Sequence, residues 1–156
     1  MPVFAKPMFI AAKIAMPALR VDFYIVQNAP PHGRVRFGCK LLEKAYRSDA
    51  DVFVQTSSQE QSLYLDDLLW TFKAGSFIPH RLQQAQGTEK IVLGHVPPDS
   101  HQRGIYLNLS DHQIDSHSQF ERVIEIVTED VREMARNWYR QYQQQAYQIQ
   151  THTLKF

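Results

Sequence analysis

Three arginines, Arg132, Arg136 and Arg140, recur at every fourth position of "VREMARNWYRQY", with Tyr139 among them. On a helix this i, i+4, i+8 spacing stacks the guanidinium groups into one cationic ridge. A guanidinium forks onto a carboxylate through two parallel N–H bonds, and a neighbouring aromatic ring offers a wall for an apolar group. The ligand class this chemistry suits is an acidic segment ending in something hydrophobic. A basic face that meets only water and a surface for nucleic-acid phosphates stay open as other readings. The apolar stripe of the same helix runs through Val131, Met134, Ala135, Trp138 and Tyr142, so Tyr139 falls between stripe and ridge.

The second constellation is apolar. In "LDDLLWTFKAGSFIPH" (65–80), Leu65, Leu68, Leu69 and Phe72 stand at i, i+3, i+4 and i+7 and define a buried stripe. At roughly 100° per residue, Trp70 points about 150° away from it, on the side of Leu63 and Asp66. Pro79 biases Ile78 to extended backbone, where adjacent residues point opposite ways, so one of Phe77 and Ile78 faces outward. An exposed Trp beside an exposed aromatic and a proline has the composition of a protein interface. The alternative is a Trp folded over the following loop as a satellite cluster.

Enzyme chemistry finds no support. There is no GxxxxGK[ST] loop for phosphates and no GxSxG elbow, and the loop after the first strand holds one glycine, Gly33, where a dinucleotide fold needs several. His32, His80, His95, His101, His112, His117 and His152 are scattered, the nearest approach to a ligand set being "HQIDSH" (112–117). Asp22, Asp51, Asp66 and Asp67 offer carboxylates for magnesium, but solvated element ends and a helix surface account for them more simply. Cys39 lies on the apolar side of its helix and reads as a small core residue. No cofactor or metal is expected.

The elements that position these groups alternate. Strands are expected at 21–26, 51–56, 91–94, 104–110 and 122–127, from β-branched and aromatic runs bounded by turn residues. Helices are expected over 34–47, with Val35, Cys39, Leu42 and Tyr46 on its apolar side, over about 59–72, and from Thr128 to about Tyr142. Ser57 and Ser58, each followed three residues later by Glu60 and Gln61, offer a capping box. Thr128 is a candidate cap, with Glu129 and Asp130 in the favourable first turn. "QYQQQAYQIQ" (141–150) reads as an exposed helix end and polar tail. This alternation predicts an α/β sheet covered on both faces.

At 156 residues with a 44% hydrophobic and 21% charged composition, one domain is expected. A net charge of +1 supplies no global field for nucleic acid or membrane. The lone Cys39 and the lack of a long apolar run fit a reducing cytoplasm. Lys6 and Lys13 interrupt the apolar start, Pro7 and Pro17 break it, and no cleavage site follows. Residues 1–20 are therefore read as an extension, disordered or partner-bound, ahead of a single domain at 21–156.

"VDFYIV", "LDDLLW…SFIPH" and "VREMARNWYRQY" together resemble the chi subunit of bacterial DNA polymerase III holoenzyme, from about Val21 to Lys155. The middle motif is the most specific. The resemblance implies a Rossmann-like three-layer α/β/α fold with a mostly parallel sheet, no nucleotide site, and a non-catalytic accessory of the clamp loader. It implies two protein partners in the cytoplasm, at the replication fork. The psi subunit would dock on Trp70, Phe77 and Pro79, a surface that an iron–sulfur repair helicase uses in some bacteria. The C-terminal tail of single-stranded DNA-binding protein, acidic and ending in Pro-Phe, would bind Arg132, Arg136, Tyr139 and Arg140. DNA would be met only indirectly, and no membrane is involved. Arg140 stands where a lysine is familiar, and Leu154 where an aromatic is expected. The rival reading is a direct single-stranded nucleic-acid-binding module that uses the arginine ridge.

Overall fold

A computed structural model describes residues 19–75, 77–112 and 118–156. The expectation for residues 1–18, and the histidine cluster beyond His112, lie outside the described residues.

Seven strands form one sheet: β1 (Arg20–Gln27), β2 (Val52–Gln55), β3 (Arg81–Leu82), β4 (Ile91–Gly94), β5 (Ile105–Asn108), β6 (Arg122–Val127) and β7 (Gln148–Lys155). Their order is β3-β4-β2-β5-β6-β1-β7 and every pairing is parallel. Three helices connect them, α1 (Gly33–Arg47), α2 (Gln59–Thr71) and α3 (Arg132–Gln144). The fold is the expected three-layer α/β class.

Alternation along the strands divides the interior into two cores. One joins Val52 and Val54 to Phe37 and Leu42 of α1 and Leu65 and Leu69 of α2. The other joins Phe23, Phe53 and Val123 to Ala135, Trp138 and Tyr142 of α3. Helices α1 and α2 therefore cover one face, and α3 the opposite one. This follows from connection direction: the crossovers after β1 and β2 run toward β3, the one after β6 runs toward β7, and all keep one hand.

Ser58 caps α2 by accepting from the Gln61 N–H at 3.1 Å, and Gln61 reaches back to accept from the Ser57 N–H. Four expectations need correction. Residues 148–155 are a full strand paired with β1, not a polar tail. Ile149, Thr151 and Thr153 are β-branched at alternate positions, which suits a half-covered edge despite the glutamines around them. Tyr46 is 47% exposed rather than on the buried side of α1. Thr128 does not cap α3: it precedes a 3-10 turn, Glu129–Val131, through which the chain enters the helix, and its hydroxyl donates to Asp130 Oδ1. Asp22 is not a solvated strand end but fully buried, bonded by Arg20, Arg122 and His152. Burial raises its pKa, but the bonds from His152, Arg122 and Arg20 outweigh that and hold the carboxyl below its ordinary range.

Candidate protein-docking surfaces

The corner after α2 resolves which aromatics face out. Ile78 is 1% exposed and enters the core, while Trp70 and Phe77 are each 53% exposed. Their ring centroids lie 4.7 Å apart, so Trp70 leans on the following segment and still presents half its surface. The satellite cluster therefore forms, and it leaves an exposed apolar surface on which the interface reading rests. Leu63 is exposed on the same helix, and Pro79 is half-buried. A groove of about 230 Å³ beside Phe77, lined by Tyr46, Arg47, Glu43 and Lys73, carries the surface onto the end of α1.

His80 holds this corner, and sequence reasoning passed over it. Its Nδ1 donates to the Ile78 carbonyl oxygen at 2.6 Å, its Nε2 lies 2.7 Å from Asp66 Oδ1, and its ring meets Trp70 edge-on at 5.6 Å. The imidazole therefore ties the extended exit back to α2 and fixes Phe77 against Trp70. The signal was present: Asp66 shares the helix side of Trp70, and a histidine follows the proline.

The ridge on α3 is built differently. Arg132, Arg136 and Arg140 are all exposed. Arg132 pairs with Glu129 at 3.0 Å and Arg140 donates to Asn137 at 2.9 Å, while Arg136 has no ion pair or hydrogen bond among the described residues. Pairs this exposed are worth little and yield to a better carboxylate. Tyr139, 36% exposed, rests on Phe23 of β1 at 5.4 Å between centroids. The ridge therefore overlooks β1 and its neighbour β7, where exposed Thr151 and Thr153 share the face of Phe23. Reading this segment as a loose tail hid that floor.

Buried polar groups anchor α3 from below. Tyr142 donates to Glu125 Oε2 at 2.8 Å and Asn108 donates to Oε1 at 3.0 Å. Burial pushes the Glu125 carboxyl up to about 7, against the pull of Tyr142, Arg34 and Asn108. Arg34, also unforeseen, is buried with its guanidinium 5.7 Å from the Trp138 ring centroid. It donates to the carbonyls of Ile126, Asn108, Leu109 and Ser110 at 2.8–3.2 Å, capping the carboxyl ends of β5 and β6.

A crevice of about 1080 Å³ opens above β1 and β6, where α/β folds often hold ligands. Its Arg34 is engaged with carbonyls, and its β1–α1 loop carries prolines where a phosphate cradle carries glycines. Among the described residues no group of three or more His, Cys, Asp or Glu could hold a metal ion. Asp51 and Asp67 are exposed, Asp66 serves His80, and Cys39 is buried with its thiol raised to about 12. Also among the described residues, no helix is long and apolar enough to cross a membrane.

Residues 19–150 match the family model described as DNA polymerase III chi subunit, HolC. A protein named DNA polymerase III subunit chi from Pseudomonas aeruginosa is 35% identical over 137 residues, covering 86% of this chain and 96% of that relative. Proteins of the same name from Haemophilus influenzae and Escherichia coli are 26% and 25% identical, covering 86% and 75% of this chain and 96% and 83% of their own lengths.

Proposed function

The chain belongs to the DNA polymerase III chi subunit family of replication accessory subunits, and from that membership we propose that it works as a non-catalytic tether with two protein-docking faces. The Trp70–Phe77–Pro79 corner takes the psi subunit, or in its place an iron–sulfur repair helicase. The Arg132–Arg136–Tyr139–Arg140 flank takes the acidic tail of single-stranded DNA-binding protein. The observation that carries this reading is their separation. Trp70 stands on α2, which covers one face of the sheet, and the arginines on α3, which covers the other. Both partners therefore fit at once, which a tether requires.

The tail reading rests on matched chemistry. Exposed guanidinium groups meet the aspartates of an acidic peptide, and the terminal Phe packs on the open face of Tyr139. Arg136, which has no competing carboxylate among the described residues, pairs with the terminal carboxylate. Each contact is weak and exchangeable, and many tails on coated DNA raise avidity without new contacts.

The test is calorimetric titration of the full chain with a peptide copying the acidic tail, beside the same peptide without its terminal Phe. The intact peptide binds, the truncated one does not, and Arg136→Ala weakens the intact one. If neither peptide binds while naked single-stranded DNA binds the α3 ridge, the rival nucleic-acid reading replaces this one.

A further inference from the structure

The face carrying α1 has a second cationic surface that neither docking region uses. Arg36, Lys40 and Lys44 of α1 are exposed at i, i+4, i+8, and none has a carboxylate partner among the described residues. Lys40 Nζ lies 4.8 Å from the centroid of the Phe156 ring. That ring is 38% exposed, and its residue is fixed by its N–H donating to the Gln27 carbonyl at 3.0 Å.

The same surface continues onto the sheet. Tyr24 tilts against Phe37 of α1 at 5.9 Å and stacks on His152 of β7 at 4.8 Å, leaving the His152 side chain 39% exposed. Two residues below Tyr24 on β1, the buried Asp22 is shared by Arg20 and Arg122, so one carboxylate meets two guanidinium groups. The one acidic side chain of α1, Glu43, is engaged by Arg47 and Lys73. Cations are in excess, and exposed rings lie among them.

The mixture differs from the α3 ridge in kind. Three arginines there suit carboxylate forks, whereas lysine ammoniums are point charges that follow a phosphate chain without demanding one geometry. Rings set beside cations are what single-stranded nucleic acid uses, since every base has a face to stack. We propose that the α1–β7 face contacts single-stranded nucleic acid, with phosphates on Arg36, Lys40 and Lys44 and bases against His152 and Phe156. The net charge of +1 keeps this contact weak and local. It is independent of the tail reading and lies on the other side of the sheet.

The experiment is fluorescence anisotropy of a labelled oligothymidylate titrated with the full chain over a salt series. With about three phosphates neutralised, the logarithm of affinity should fall with that of salt at a slope near −2. The double variant Lys40→Gln/Lys44→Gln should weaken binding about tenfold and flatten the slope by roughly 1–1.5, while Arg136→Ala leaves both unchanged. Lys40→Arg/Lys44→Arg, which keeps the charges, should bind like the parent and shows that loss in the Gln variant is not misfolding. Three results overturn the proposal: no binding at low salt, loss in Arg136→Ala with the Gln variant unaffected, or displacement of the oligonucleotide from Arg136→Ala by an acidic peptide.

Discussion

The Trp70 corner and the α3 ridge are both exposed, yet one is assembled in advance and the other is not. At the corner, two rings already touch, a buried histidine pins the segment that carries one of them, and Ile78 anchors its backbone in the core. Little side-chain entropy remains to be lost on binding there. On the ridge, three long side chains project from a helix whose anchors all lie beneath it, at Tyr142, Trp138 and Tyr139. A preformed apolar corner suits a long-lived partner. Exposed cations around one fixed ring suit contacts that exchange.

The largest effect expected from breaking this contrast comes at the corner. Trp70→Ala should cost roughly 3–4 kcal/mol of psi affinity, as hot-spot aromatics do, and leave tail-peptide affinity untouched. Calorimetry with each partner checks both halves, and a loss on both sides would mean one shared site or a misfolded chain.

Next is the support of the ridge. Glu125 titrates near 7 in the fold against an ordinary value of 4.5, so the folded chain holds its proton more tightly than the unfolded one. The contribution of Glu125 to stability should therefore be greatest below the ordinary value, fall as pH rises toward 7, and level off above, by about 3 kcal/mol in all. Glu125→Gln should abolish that slope in denaturant melts across pH, and an unchanged slope would assign it elsewhere.

Arg136→Ala should cost about 1.5–3 kcal/mol of tail affinity, the range of a charge-assisted bond, and nothing at the corner. The smallest effect sharpens the claim of preorganisation. His80→Gln should weaken psi binding by about 1 kcal/mol although His80 is nearly hidden from solvent. Binding equal to the parent would show that the corner does not depend on its pin.

Much of this was legible in the sequence because it rests on periodicity. Leu65 and Leu69 went inward, Trp70 outward, and the proline at 79 split Phe77 from Ile78 as alternation requires. The arginine spacing likewise placed Tyr139 between core and ridge. What escaped notice depended on long-range pairing. β7 was hidden by glutamines because an edge strand has little need of apolar residues, and only its pairing with β1 defines it. Without β7 there was no neighbour for Asp22 to meet, so its burial with His152 could not be foreseen. Arg34 looked like any helix-start cation, since the carbonyls it caps lie 74–92 residues away. Such contacts leave no local pattern.

The central claim is that two faces of one chain hold two proteins at the same time. Its most direct test is titration of the acidic tail peptide into the chain alone and into the chain saturated with psi. The same affinity and stoichiometry are expected in both, with a ternary complex at one copy of each. Displacement of psi by the peptide, or loss of peptide binding on saturation, would contradict it.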